Sequence, residues 1–145
     1  MKMLGEAAKI AMEKERSELR AAYSGFTASD IQAINLANSQ IAAKFARAGV
    51  AVFKRWVSLH DGKTRDSHLE ADQQFQVLES PFLVGGEKGY YPGDMEFSAR
   101  QRINCRCIVI FEDVDGRDLL SYRTQRAAKK RIESVLVQID EFRGQ

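Results

Sequence analysis

The sequence predicts an α+β fold: a small, mostly antiparallel sheet with two N-terminal helices and a long C-terminal helix. The first reason is helical periodicity at both ends, where apolar residues recur every three or four positions. The second reason is a set of three short runs rich in β-branched and aromatic residues, which are typical of strands. These runs lie at residues 50–57, 75–78 and 105–111.

The two N-terminal helices differ in how clearly the sequence marks them. The first is predicted over residues 3–24, but its apolar stripe is thin and is interrupted at Glu15. We therefore expect a surface helix that docks on the domain or on a partner. The second helix can be capped by Thr27 or Ser29, and Gly49 follows its end. Its apolar face predicts packing on the sheet.

The first strand delivers Trp56 to the core and is followed by a polar turn. Asp61 begins an Asp-Gly turn, and Thr64 is predicted to cap a short helix. Arg65 and His68 are three positions apart, so they share one face of that helix. Asp61 precedes the cap and can fold back onto Arg65.

The stretch before the last strand is rich in glycine and proline. We expect residues 84–94 to form part of a long loop with little regular structure, of a kind that is usually functional or held in place by other groups. One helical turn is predicted at residues 98–103. In the strand at 105–111, Cys105 and Cys107 face the same side, because side chains alternate along a strand.

Length and charge limit the functional classes. The 145 residues, 44% of them hydrophobic, can bury a core of their own. A net charge of +2 argues against a histone-like nucleic-acid-binding protein and leaves only local contacts. Two cysteines one residue apart make no disulfide framework, so we expect a reducing compartment. The N-terminus has neither an apolar signal core nor a membrane span, which predicts synthesis in a cytoplasm.

The pattern divides the chain into an N-terminal helical region (1–48), a central block (49–116) and a C-terminal helix (117–145). We expect these to form one structural domain with helical extensions. The C-terminal helix joins an apolar stripe to five cations of one sign, which fit either a solvated face or a contact with DNA or an acidic partner. The five cations are Arg123, Arg126, Lys129, Lys130 and Arg131.

The polar residues of the central block support three hypotheses. In the metal hypothesis, the thiolates of Cys105 and Cys107, together with His68 and a fourth group such as Asp61, form a tetrahedral zinc site. The single residue between the cysteines is fewer than the two to four usual in structural zinc sites. In the nuclease hypothesis, His68 is a general acid or base, and Arg65 or Arg106 stabilises charge on a phosphate.

The third hypothesis is structural, and it is the one that we favour. A buried polar network ties the long loop to the sheet, and the two cysteines pack as small apolar groups. On this hypothesis no cofactor is needed, and zinc stays the one alternative. The members of the network are Asp61, Arg65, Asn104 and Arg106.

The order of the motifs resembles that of a known family. The block reads W(x4)D(x3)R(x2)H, then YPGD, then NCRC, from about residue 49 to 111. This set resembles the minor head protein family of tailed phages, of which the F protein of phage Mu is a member. The residues that carry the resemblance are Trp56, Asp61, Arg65, His68, Pro92, Gly93, Asp94, Asn104, Cys105, Arg106 and Cys107.

The resemblance implies a minor capsid or head morphogenesis protein that acts by binding near the portal, inside the head. Its partners would be the portal or other capsid proteins and the packaged double-stranded DNA, with a link to DNA ejection and no contact with a membrane. Its location would be the virion interior, after assembly in the host cytoplasm. An enzymatic role is not expected. The alternative is a nuclease or other phosphate-directed hydrolase that uses His68 with Arg65 or Arg106.

Overall fold

The computed structural model describes residues 5–60, 64–103 and 105–120, together with 133, 134, 137, 140 and 141. This part of the chain combines helices with a small antiparallel sheet, so the predicted α+β class is confirmed. The elements are α1 Glu6–Ala22, α2 Ala28–Arg47, β1 Phe53–Val57, α3 Asp66–Ala71, β2 Phe75–Val77, β3 Phe82–Val84, β4 Glu87–Gly89, α4 Ala99–Arg102 and β5 Ile108–Glu112.

The start of α2 is fixed by a reciprocal cap. The hydroxyl of Thr27 accepts from the backbone N–H of Asp30 at 3.1 Å, and the Asp30 carboxylate accepts from the backbone N–H of Thr27 at 3.4 Å. These bonds satisfy donors that have no partner within the helix. Gly49 follows the helix with a φ of 92°, which favours glycine. The predicted start and end of this helix are confirmed.

The main sheet is antiparallel and has the order β2-β1-β5. Its central strand pairs with β5 from Phe53 opposite Glu112 to Val57 opposite Ile108. The last strand therefore begins at Ile108, three residues later than predicted. The reason is that β1 ends at Val57, so residues before Ile108 have no strand opposite them. The backbone N–H of Cys105 bonds instead to the carbonyl of Arg102.

The predicted loop at residues 84–94 is wrong in its first half. Strands β3 and β4 form a hairpin in which Phe82 pairs with Gly89 and Val84 with Glu87. Gly85 and Gly86 make the two-residue turn, with φ values of 57° and 80°. Positive φ at both central residues is the requirement of a tight hairpin turn, and two glycines meet it without strain.

Alternate residues of β1 face two separate apolar cores. Val57 belongs to a core with parts of α1, α2 and β5. Trp56 belongs to the other, which contains the β3–β4 hairpin, Phe97 and both cysteines. The N-terminal half of α1 extends beyond these cores, and Ile10 there is 62% exposed. This fits the thin stripe that the sequence predicted for α1.

The predicted C-terminal helix lies almost entirely outside the described residues. The described positions in that region, 133, 134, 137, 140 and 141, are helical and exposed. Within the described part of the chain, no helix combines the length and the apolar character needed to cross a membrane.

Candidate metal centre

Three buried side chains bring soft and borderline metal ligands together. One ligand atom each from His68, Cys105 and Cys107 lies within 4.8 Å of the other two. The three residues are 2%, 1% and 2% exposed, respectively. The described residues therefore contain a cluster that could bind a metal ion.

The fold assembles this cluster from two segments that are distant in sequence. His68 lies on α3, which follows the central strand, and the cysteines lie between α4 and β5. The ring of Trp56 meets the imidazole of His68 edge-on, with 5.8 Å between ring centroids. Because Trp56 is itself held by Phe82 and Phe97 at 5.3 and 6.1 Å, the imidazole is packed in place as well as bonded.

Both nitrogens of the His68 ring face protein groups. Nδ1 lies 3.6 Å from the Sγ of Cys107. Nε2 lies 3.1 Å from the side-chain oxygen of Gln101, on α4. The side chain therefore directs one nitrogen to the sulfur atoms and the other to an amide.

The two thiols differ in acidity because they are hydrogen-bonded to each other, which lowers the pKa of one and raises the pKa of the other. A hydrogen bond from Cys107 and, to a smaller extent, the contact with His68 lower the pKa of Cys105 to about 5 against the opposing effect of burial. The pKa of Cys107 is raised well above its ordinary value, first by Cys105 and then by burial. The first proton therefore leaves from Cys105. A second thiolate beside it needs a cation to balance the charge.

An unpaired indole N–H faces the second sulfur. The Nε1 of Trp56 is buried and has no hydrogen-bond partner among the described residues. Trp56 nevertheless lowers the pKa of Cys107, as Ser58 does. The buried N–H therefore favours the anionic form of Cys107.

The arginines of the sequence motif bind backbone carbonyls. A guanidinium N–H of Arg65 donates to the carbonyl of Ile103, which joins α3 to the segment before the cysteines. Arg106 donates to the carbonyl of Phe26 at 2.5 Å, in the segment between α1 and α2. Two further motif residues, Asp61 and Asn104, lie outside the described residues. The predicted pair of Asp61 with Arg65 therefore stays a prediction.

The Tyr-Pro-Gly-Asp stretch closes on itself and packs against α2. The carboxylate of Asp94 accepts from the backbone N–H of Tyr90 at 2.8 Å and of Glu96 at 3.1 Å. Gly93 has a φ of 91°, and a Cβ there would lie 2.5 Å from the side chain of Gln32. Pro92 is buried. These three motif residues shape a turn and hold it on the helix.

Several buried polar residues at this site were not found by sequence analysis. Asn35 is fully buried, donates to the carbonyls of Pro92 and Cys107 at 3.0 Å each, and accepts from the N–H of Val109 at 3.3 Å. Gln101 was also missed. The available signal for Asn35 was its place on the buried face of α2, four positions after Ile31.

Lys54 is a further buried residue that sequence analysis missed. It is 1% exposed, donates to the carbonyl of Tyr90 at 3.0 Å, and lies over the rings of Phe82 and Tyr90 at 4.8 and 4.9 Å. Its ammonium therefore ties the central strand to the segment before the Tyr-Pro-Gly-Asp turn. Lys54 lies between Val52 and Trp56 at every second position, and both of these are buried, so the alternation along the strand was an available signal of its burial.

The candidate DNA-binding or partner-binding cations cannot be placed in this fold. They lie outside the described residues. These are Arg123, Arg126, Lys129, Lys130 and Arg131.

Comparison of the chain with profiles of known protein families, with curated proteins and with solved structures found no match.

Proposed function

We propose that this chain is a minor head protein of a tailed phage that acts by binding. We also propose that residues of its motif block stabilise the fold by holding a structural zinc ion. One observation carries the proposal: most of the described motif residues are buried within the domain, and Arg65, Gly93 and Arg106 are only partly exposed. Trp56, His68 and Cys107 are each no more than 2% exposed, and Asp94 is 7% exposed. Residues in such positions maintain a fold, so partners must be bound through other surfaces.

The alternative of a nuclease receives less support from the same geometry. A general acid or base needs a ring nitrogen within hydrogen-bond reach of its substrate. Both ring nitrogens of His68 face protein atoms, and the residue is 2% exposed. The guanidinium groups of Arg65 and Arg106 bind backbone carbonyls. These contacts favour a binding protein over a phosphate-directed hydrolase.

The distances and chemistry of the cluster fit zinc. A tetrahedral zinc ion with Zn–S of about 2.3 Å and Zn–N of about 2.0 Å places its sulfur and nitrogen ligands about 3.5 Å apart. The separation between the Sγ of Cys107 and the Nδ1 of His68 is 3.6 Å. Two thiolates and a neutral imidazole are soft enough to prefer zinc over magnesium or calcium. The unpaired indole N–H of Trp56 adds a dipole that favours a thiolate at Cys107.

A structural zinc ion takes four ligands, and the described residues supply three. Asp61 is the group that sequence analysis named as a fourth ligand, and a water molecule is the other way to complete the tetrahedron. Chelator competition distinguishes the two, because the Asp61→Ala variant binds zinc more weakly than the wild type only in the first case.

The zinc proposal is tested by the metal content of protein purified under reducing conditions without chelator. We expect about one zinc per chain, and its loss in the Cys105→Ser/Cys107→Ser variant, because binding of such an ion is coupled to folding. His60→Ala is the matched control, since His60 is an exposed histidine outside the cluster. Less than about a tenth of an equivalent after reconstitution with zinc would refute the site.

The role in the phage head is tested separately, by quantitative mass spectrometry of virions from cells that carry the gene. We expect the chain in a few copies per particle, and defective or unfilled heads when the gene is deleted in frame. A chain that stays in the cell lysate and is absent from both virions and empty heads would overturn this part of the proposal. That result would leave the zinc site untouched.

A further inference from the structure

Gln101 is a buried amide that lies between the metal cluster and the surface hairpin. It is 5% exposed and belongs to the short helix α4. Its side-chain oxygen lies 3.1 Å from the Nε2 of His68 and accepts from the hydroxyl of Ser67 at 3.0 Å. Gly85 leaves room for it, because a Cβ at that position would lie 2.5 Å from the Gln101 side-chain nitrogen.

The orientation of this amide follows from the chemistry of its neighbours. Gln101 also hydrogen-bonds to the side chain of Glu87, and the pKa of Glu87 is lowered first by Ser98 and in part by Gln101. An ionised carboxylate only accepts hydrogen bonds, so the NH₂ group of Gln101 must face Glu87. Its oxygen must then face His68.

That orientation determines the tautomer of His68. A carbonyl oxygen accepts hydrogen bonds, so the Nε2 of His68 must carry the hydrogen. The lone pair is then on Nδ1, the nitrogen that lies 3.6 Å from the Sγ of Cys107. An imidazole whose second nitrogen donates to a fixed acceptor is how proteins orient histidine ligands.

We propose that Gln101 is the positioning residue of the metal centre: it fixes Nδ1 of His68 as the ligand atom and connects the bound ion to the β3–β4 hairpin through Glu87. This rests on the proposed zinc site. Glu87 also accepts from the N–H and the hydroxyl of Ser98, at 2.7 and 2.8 Å. The chain of contacts therefore runs from the ion to the hairpin and to the first residue before α4.

Through this connection, bound zinc stabilises parts of the protein that do not themselves bind the ion. Zinc locks the ring of His68, the ring holds the Gln101 amide, and the amide holds the Glu87 carboxylate against Ser98. Zinc binding therefore slows amide hydrogen exchange in the hairpin at residues 82–89 and in α4. Substitution of Gln101 removes that protection even where zinc still binds.

The test compares zinc affinity, by chelator competition, in three variants. Gln101→Met keeps the length of the side chain and removes both polar atoms, and we expect zinc binding about 10 to 100 times weaker. Gln101→Glu combined with Glu87→Gln exchanges the two groups. This variant keeps a hydrogen-bond acceptor at His68 and a hydrogen-bond donor between residues 87 and 101, so we expect it to restore the zinc affinity of the wild type. Gln74→Met is the control, because Gln74 bonds to Leu83 of the same hairpin but does not contact His68.

A second measurement needs no variant and applies if Gln101→Met fails to fold. In zinc-loaded wild-type protein, ¹⁵N chemical shifts of His68 report which nitrogen carries hydrogen and which binds metal. We expect hydrogen on Nε2 and metal on Nδ1. The reverse assignment overturns the role of Gln101, as does unchanged zinc affinity in Gln101→Met. Wild-type protein that binds no zinc overturns the metal site itself, so the two failures are distinguishable.

Discussion

Arg16 is the buried cation that joins α1 to the rest of the domain, and Arg16→Ala is expected to destabilise the protein strongly. The residue is 5% exposed. It donates to the carbonyl of Ser58 at 2.5 Å and to the carboxylate of Asp72 at 3.1 Å. The other oxygen of Asp72 accepts from the N–H of Ser58 at 2.8 Å. Removal of the guanidinium leaves the carbonyl of Ser58 and one oxygen of the Asp72 carboxylate without their partner, at a place that is largely shielded from solvent.

The size of the effect follows from the burial of both partners. Truncating one member of a buried ion pair costs about 3 to 5 kcal/mol. The side chains of Arg16 and Asp72 are 6% and 11% exposed, so water can compensate only in part. We expect a loss of about 3 kcal/mol, at the lower end because Asp72 keeps some contact with solvent. For a domain of this size that loss lowers Tm by about 6 to 12 °C.

Urea denaturation of the wild type and two single variants measures the loss. Arg20→Ala is the matched control on the same helix: Arg20 is 32% exposed at its side chain and binds Glu13 and the carbonyl of Leu59. We expect it to cost about 1 kcal/mol or less. If Arg16→Ala costs no more than Arg20→Ala, the buried network does not hold α1 and the reasoning is refuted.

Lys54, the glycines of the β3–β4 turn and the C-terminal cations give three further expectations. Burial lowers the pKa of Lys54 from 10.5 to about 8, so the unfolded chain binds more protons between these values. The free energy of unfolding, relative to Lys54→Met, should therefore rise with pH in that interval, and a flat difference would contradict the burial. Gly85→Ala should destabilise more than Gly86→Ala in thermal melts, because both have positive φ but only the first places a Cβ against Gln101. Equal losses would show that Gln101 moves freely. Glutamine at four cations should leave the fold intact and reduce the salt slope of DNA binding by about one per lost phosphate contact, whereas an unchanged slope would identify a solvated face. The four are Arg126, Lys129, Lys130 and Arg131.

Local signals in the sequence were sufficient for most of the elements. The cap at Thr27, the glycine after α2 and the density of β-branched residues before Trp56 are properties of adjacent residues, and the structure agrees with all three. The Gly85-Gly86 pair is also a local signal of a hairpin, but the strands on either side of it have only three residues each, so the sequence pattern predicts a loop. Strands that short fall below the length at which alternation can be recognised.

The polar contacts of the core could not be predicted in the same way. The sequence around Arg16 predicts an exposed charge on a surface helix. Its burial depends on Asp72, which lies 56 residues later in the chain. Sequence analysis instead placed the buried arginine at Arg65. The structure leaves Arg65 partly exposed, with one carbonyl partner. Which arginine is desolvated depends on tertiary packing, and no property of the neighbouring residues reports it.

The burial of the motif also limits what mutagenesis of the motif can reveal. Substitution of Trp56, His68 or Cys107 removes core contacts, so loss of function would follow from unfolding whether or not the residue touches a partner. A partner surface must consist of exposed groups whose substitution leaves the free energy of unfolding unchanged. The exposed half of α1 around Ile10 meets that condition, because its side chains lie outside both cores. Ile10→Asp therefore separates binding from folding, which substitution of these buried motif residues cannot do.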